Sequence, residues 1–312
     1  MRALNPDQLL AFRRVVELGS FSAAAKRLSL TQPAVSQQIR QLEERLGLRL
    51  IERVGRRAMP TTAGSELLIH ARNIDCAMEA AVEAMDEQAR GVMGRVRIGC
   101  GSTALIYLLP PLLRDLKRRF PTLEITVSTG NTVEMLQQIE ANLIDLGLVT
   151  LPPKASSVGR AFAVTPLLEE EFVAVESGEG TRCLPVKTTP AALAALPLVL
   201  DEPNSQSWHV LEDWFRRGGQ RVKPAMMLGS VEAIKEVVCA GLGCGILPRS
   251  AVTGNGGKMS GGARRSGAPL RFRSLTPPLY RRLGLVMRRD KVLHRGLRET
   301  VKVLMRLQRP AK

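Results

Sequence analysis

Between residues 62 and 90, apolar side chains recur at alternating steps of four and three: Leu67, Ala71, Ile74, Met78, Ala81 and Met85. That is a heptad seam of nearly three repeats, and it predicts one long helix with a single apolar stripe. Such a helix divides the 312-residue chain into an N-terminal region of about sixty residues, the helix itself and the remaining two thirds. Glu66, Asp75, Glu79, Glu83, Asp86 and Glu87 occupy much of its other surface, which suits it poorly to nucleic acid. With no partner expected in the small region before it, the stripe favours pairing with a second subunit. Packing on the chain's own downstream domain is the alternative.

Before the seam, Leu9, Phe12 and Val16 mark an amphipathic helix over residues 7–18, started by Asn5, Pro6 and Asp7 and stopped by Gly19. A shorter helix is predicted over 23–28. Thr31 then reads as an N-cap with Pro33 in the first turn of a third helix that runs to Leu46. Its inner face is Val35, Ile39, Leu42 and Leu46, and its outer side carries Gln32, Ser36, Gln37 and Arg40. Two short helices joined by a tight turn, the second presenting such side chains, suit a helix-turn-helix whose second helix enters the major groove. There Gln matches adenine, Arg matches guanine, and Ser reaches bases or phosphates. Leu50 and Ile51 read as a short strand, and Arg53, Arg56 and Arg57 as a turn before Pro60, together forming a wing whose arginines meet phosphates or the minor groove. A small helical domain with a solvated polar face fits the same spacing.

The run Phe12, Gly19-Ser20-Phe21-Ser22, Ala24-Ala25, Leu28, Thr31-Gln32-Pro33-Ala34-Val35-Ser36, Gln38-Ile39, Leu42-Glu43, Leu46-Gly47, Leu50, Arg53 and Thr62-Ala63-Gly64 resembles the N-terminal signature of LysR-type transcriptional regulators. Later segments follow the family order to the end of the chain. The departures are Ile51, where the family usually has Phe, and Met59-Pro60-Thr61 on the approach to the long helix. The resemblance implies a winged helix-turn-helix over 1–61, a dimerising linker helix over 62–90 and a two-lobed, periplasmic-binding-protein-like α/β effector domain over 91–312. Ser22, Thr31, Gln32, Pro33, Ser36, Gln37, Arg40, Arg53, Arg56 and Arg57 are the expected DNA contacts. Double-stranded promoter DNA, a small-molecule effector and further copies of the chain, as dimer or tetramer, are the implied partners.

Past Gly91 and Gly94, read as a hinge, strand-like and helical runs alternate. Strands are predicted at 95–100, 123–128, 145–150, 171–176, 198–201, 225–228, 245–248 and 283–288. Helices are expected at 109–120, 133–142, 190–195, 207–217, 231–240 and 293–307. The alternation implies an α/β class with parallel sheets in two similar lobes, lobe I over about 95–165 and 269–312 and lobe II over about 166–268. Ligands of such sheets sit beyond the carboxyl ends of the strands, near helix N-termini. Ser102, Thr103, Asn131, Thr132 and Thr150 from one lobe, and Asn204, Ser205 and Ser230 from the other, meet that rule. Uncharged donors at helix starts suit a small, anionic ligand, although each residue alone is also an ordinary cap. Gly130-Asn131-Thr132 followed by Glu134 resembles the subgroup that regulates carbon fixation and sulfur assimilation.

No nucleophile elbow, phosphate-cradling loop or metal-ligand spacing occurs, and His70, His209 and His294 stand in separate segments. Neither catalysis nor a cofactor is expected. Cys239 and Cys244 admit a redox switch, but no basic residue adjoins them and buried thiols are common. Without an apolar run of membrane-spanning length or a secretion signal, the protein is expected in the cytoplasm.

The formal charge of +16 is unevenly placed. Residues 1–60 carry 11 basic and 5 acidic side chains, residues 61–90 carry 2 and 6, residues 91–252 carry 16 and 16, and residues 253–312 carry 16 and 2. The largest excess therefore lies far along the chain from the expected DNA reader. It falls on a glycine-rich stretch over 253–268, read as a flexible loop, and on a helix with Arg295, Arg298, Lys302 and Arg306 near its exposed side. Such a charge run is usually a solvated face, and the functional alternative is weak extra attraction to bent DNA in a tetramer. The main rival to a regulator is a cytosolic small-molecule-binding protein whose helical domain makes protein contacts.

Overall fold

Three helix caps shape the N-terminal region. In the computed structural model, which describes residues 4–55, 57–90, 93–152, 159, 161–179, 184–253 and 270–308, α1 spans Pro6–Leu18, α2 Phe21–Leu28 and α3 Gln32–Leu46. Asn5 accepts from the Asp7 amide at 2.8 Å, Ser20 from Ala23 at 3.3 Å and Thr31 from Ala34 at 3.4 Å. Because Ser20 is the cap, α2 begins two residues before the expected start at residue 23. Gly19, at φ 62°, closes α1 in the left-handed conformation that glycine adopts without a Cβ clash. Leu9, Phe12, Val15, Ala24, Ala25, Val35, Ile39 and Leu42 form the core, with Val16 and Leu46 only partly covered at its edge.

β1 (Ile51–Val54) and β2 (Arg57–Pro60) form an antiparallel hairpin with Val54 opposite Arg57. The expected strand and turn are thus shifted: Leu50 is buried ahead of the strand, Arg53 lies on β1, and Arg57 opens β2. Arg56 lies outside the described residues. The buried carboxylate of Glu43 holds this wing to α3, accepting from the amides of Leu50 at 2.8 Å and Ile51 at 3.2 Å. The backbone donors are already satisfied, so the wing starts at a fixed point on the third helix.

α4 runs over Thr62–Arg90 as one helix. It begins so close to Leu50 that a Cβ on Gly64 would lie 2.0 Å from the Leu50 carbonyl oxygen. The seam does not lack a partner in its own region. Ala71 is buried and Leu67 and Ile74 pack against the same core as α1, while Arg13 Nε sits 2.8 Å from Asp75 Oδ2. Beyond Ile74 the stripe is open: Met78 and Met85 are 49% and 60% exposed, Ala81 is exposed, and the adjoining Val82 is 62% exposed. The seam is therefore divided between a covered half and an uncovered half.

The chain separates into two compact units, Met1–Gly91 with Ala141–Leu143, and Val92–Glu140 with Ile144–Lys312. In the second, β3 (Arg95–Cys100), α5 (Ser102–Tyr107), α6 (Leu109–Arg119), β4 (Glu124–Thr129), α7 (Thr132–Glu140) and β5 (Leu146–Leu151) come first. They are followed by β6 (Phe162–Ser177), α8 (Pro190–Ala194), β7 (Leu198–Asp201), α9 (Gln206–Arg217), β8 (Met226–Leu228) and α10 (Val231–Cys239). β9 (Cys244–Pro248), α11 (Arg249–Thr253), β10 (Leu270–Arg288) and α12 (Arg295–Leu304) complete the described elements. The strands from β3 to β10 join one sheet in the order β4-β3-β5-β10-β6-β9-β7-β8. Its outer groups are parallel, as β3 pairs with β4 and β5, and β7 with β8 and β9.

The expectation of parallel sheets fails at the centre. β10 runs antiparallel to both β5 and β6, and β6 antiparallel to β9, so the sheet is mixed. β6 and β10 are also far longer than expected, because Pro166, Pro277 and Pro278 interrupt the sequence pattern. The structure accommodates them where the β6–β10 register shifts, between Ser274 and Leu279 and between Leu283 and Gly284. One core gathers Ile98, Leu109, Leu116, Leu285 and Leu297, and another gathers Phe172, Leu198, Trp214, Phe215 and Ile246. The two long strands contribute to both. The residues from 254 to 268 of the expected loop, and Gly91 of the expected hinge, lie outside the described residues. Among those described, no helix is long and apolar enough to cross a membrane.

Candidate nucleic-acid interface and ligand cavity

Burial of Val35, Ile39 and Leu42 turns the other side of α3 outward. Gln32, Pro33, Gln37 and Arg40 are exposed there and Ser36 is half-buried, with Gln32 Nε2 donating to Ser36 Oγ at 2.9 Å. Thr31 caps this helix and Ser22 lies exposed on α2. Arg53 and Arg57 are exposed on the two wing strands. The N-terminal unit thus combines amide, hydroxyl and guanidinium groups on one helix with cations on a hairpin. That combination can hydrogen-bond base edges and neutralise phosphates.

In the second unit a cavity of about 250 Å³ opens beyond the carboxyl ends of the strands. All eight residues expected from the sequence line it: Ser102, Thr103, Asn131, Thr132, Thr150, Asn204, Ser205 and Ser230. α5, α7, α9 and α10 start at its wall, and two of those starts satisfy their own amides. Asn131 and Glu134 form a reciprocal box on α7, with Asn131 N donating to Glu134 Oε2 at 3.0 Å and Glu134 N donating to Asn131 Oδ1 at 2.9 Å. Ser205 Oγ accepts from Trp208 N at 2.9 Å on α9. At the other two starts, Gly101 before α5 and Ser230 before α10 provide no side-chain cap. Helix amides without an internal partner are natural donors to an anion.

The cavity also holds charges that spacing did not point to. Arg281, 5% exposed, directs Nε and Nη2 to Glu170 Oε2 at 2.9 and 2.7 Å and Nη1 to Ser207 Oγ at 3.2 Å. Asp201 and Glu202 line the lobe II side. Burial pushes the Asp201 carboxyl above its ordinary range, against hydrogen bonds from Ser205 and the Glu202 amide. Arg281 escaped notice because it belongs to the part of β10 that follows two prolines. Asp201 ends a correctly expected strand, so its place at a carboxyl end was the available signal.

Outside the cavity lining, α5 and α10 are tied directly. Lys235 Nζ lies 2.7 Å from Tyr107 Oη and 3.5 Å from Glu232 Oε1, and Tyr107 also hydrogen-bonds Glu232. The ammonium stands 5.1 Å from the Tyr107 ring centroid. Among the described residues, no group of three or more His, Cys, Asp or Glu side chains is arranged to hold a metal. Cys100 is buried, and desolvation raises its thiol pKa to about 11. The Cys239 thiol is also raised, by burial and then by Glu236, and is thus the less reactive thiol form at neutral pH.

Two family descriptions match the chain: a bacterial regulatory helix-turn-helix protein of the lysR family over residues 6–65, and a LysR substrate binding domain over residues 89–309. The CbbR transcriptional regulator of Rhodospirillum rubrum is 34% identical over 79% of this chain and 80% of its own length. A RuBisCO operon transcriptional regulator of Allochromatium vinosum is 32% identical over 77% and 78%. The crystal structure of CbnR, a LysR family regulator, shares the fold with a TM-score of 0.68 at 22% identity, covering 98% of this chain and 100% of that one.

Proposed function

Since this chain belongs to the LysR family of DNA-binding transcriptional regulators, we propose how its parts divide that work. Residues 1–61 read promoter DNA, residues 62–90 pair two subunits, and residues 91–312 bind the small-molecule effector. Gln32, Ser36, Gln37 and Arg40 meet base edges with Pro33 in apolar contact beside them, while Ser22, Thr31, Arg53, Arg56 and Arg57 set the unit on the phosphate backbone. The effector is a small anion held among Ser102, Thr103, Asn131, Thr132, Thr150, Asn204, Ser205 and Ser230. The observation that carries the assignment is their arrival on one cavity at four helix starts, two without side-chain caps. Arg281 is already neutralised by Glu170, so backbone amides and hydroxyls are left as the main anion donors.

The protein acts as a regulator rather than as an enzyme, and it works in the cytoplasm. The RuBisCO operon relative supports control of carbon-fixation genes, in line with the Gly130-Asn131-Thr132 and Glu134 pattern. Genomic footprinting followed by electrophoretic shift on the fragments found tests the DNA half. Gln32→Ala and Ser36→Ala proteins are expected to lose about 1–3 kcal/mol of discrimination at particular bases. An unchanged sequence preference in both would remove α3 from the interface.

A further inference from the structure

α6 and α12 bury their apolar sides in one core, through Leu109, Leu112, Leu113 and Leu116 on one helix and Leu297, Val303 and Leu304 on the other. Their polar sides therefore share an outer surface. Two ion pairs cross between the helices: Arg306 Nη1 lies 2.6 Å from Asp115 Oδ2, and Arg119 Nη2 lies 3.9 Å from Glu299 Oε2. Arg114, Lys117, Arg118 and Arg119 are exposed on α6, and Arg295, Arg298, Lys302 and Arg306 are exposed on α12 and the turn that follows. Asp115 and Glu299 are the acidic residues of these two segments, giving eight basic against two acidic side chains, a net +6. The first sixty residues, with the expected DNA reader, carry the same excess from a longer stretch.

We propose that this α6–α12 face is a second, sequence-independent docking surface for the DNA phosphate backbone. The charge is more than internal pairing consumes: two carboxylates serve a surface of eight cations. No large apolar side chain of either helix is exposed, so the face lacks the anchors that a protein interface uses. A polyanion needs no such anchor, because its affinity comes from counterion release by each Lys or Arg that meets a phosphate. The chain already binds duplex DNA through another unit, so the polyanion is present at high effective concentration once that unit has docked. The face adds affinity for DNA next to the site and leaves base preference unchanged.

The test uses the full chain and random-sequence duplexes of about 15 and about 60 base pairs, roughly one and a half and six helical turns. A variant carrying R114Q, R118Q, R298Q and K302Q removes four cations with a residue that keeps helix propensity. On the long duplex, the slope of log K against log salt is expected to fall in magnitude by up to about 0.9 for each phosphate no longer neutralised, and the short duplex to change little. Replacing the same four positions by the alternative cation, R114K, R118K, R298K and K302R, should restore the slope and separates removal of charge from a failure to fold. An unchanged slope on the long duplex overturns the proposal. So does an equal reduction on both lengths, which would assign the effect to the DNA-reading unit. Retained slopes with abolished promoter activation would transfer the face to an acidic protein partner and likewise overturn it.

Discussion

Asp145 shows how much one side chain can fix. It is 4% exposed, accepts from the Arg97 amide at 2.7 Å and guanidinium at 2.9 Å, and lies 2.7 Å from Lys291 Nζ. Burial alone would raise its carboxyl, but the Arg97 hydrogen bond and the Lys291 charge outweigh that and hold it below the ordinary value of 3.8. A depressed folded-state pKa contributes stability that is present above the unfolded value and is lost as pH falls through the folded one. Asp145→Asn should therefore cost on the order of 3 kcal/mol near neutrality, since two partly buried cations lose their shared carboxylate. The gap from wild type should narrow below pH 3.8. Urea midpoints at several pH values measure this, and parallel curves would refute it. None of it was legible from spacing, because Arg97, Asp145 and Lys291 are brought together from three separate segments. Glu43 is similar: it stood in the family signature, yet its bonds to the Leu50 and Ile51 amides depend on the wing folding back.

Elements with local signals were the most readable. Asn5, Thr31, Gly19 and Gly47 act through neighbours two to four residues away, so α1 and α3 could be placed from caps and period. β6 and β10 could not, because their prolines are tolerated only through irregular pairing with a distant strand. The α4 seam was readable as a helix, whereas its division was not, because α1 covers only the first half. Met78, Val82 and Met85 are exposed, which is where the proposed pairing of two subunits through residues 62–90 would bury apolar surface. Val82→Glu is expected to shift the monomer–dimer equilibrium at least about tenfold toward monomer, equivalent to about 1.4 kcal/mol. Thermal unfolding of the N-terminal unit should be unaffected. Sedimentation velocity decides it; an unchanged dimer would place the pairing surface elsewhere.

On the scale of the molecule, a regulator must couple its cavity to its arrangement on DNA, and such a coupling acts equally in both directions. The contact of Tyr107 on α5 with Glu232 and Lys235 on α10 links the two helices whose starts line the cavity without a side-chain cap. Tyr107→Phe should speed amide hydrogen exchange at those helices by about tenfold, the loss of a charge-assisted bond worth about 1.5 kcal/mol, and leave the wing hairpin unchanged. Equal protection in both proteins would deny the link. The eight polar residues of the cavity were legible because strand ends and helix starts are local events and an α/β sheet collects them at one edge. Arg281 was not, whereas Asp201 stands at a strand end that local pattern does mark, and both alter the cavity's charge. By itself the sequence determined most helices, though not the short α5 and α11, most strands, the family and the polar lining, since caps, hydrophobic period and signature residues act over a few positions. Only the tertiary structure decided the mixed centre of the sheet, the split of the α4 seam and the merging of α6 and α12 into one cationic face. Those depend on which distant surfaces pack, and no local period records that choice.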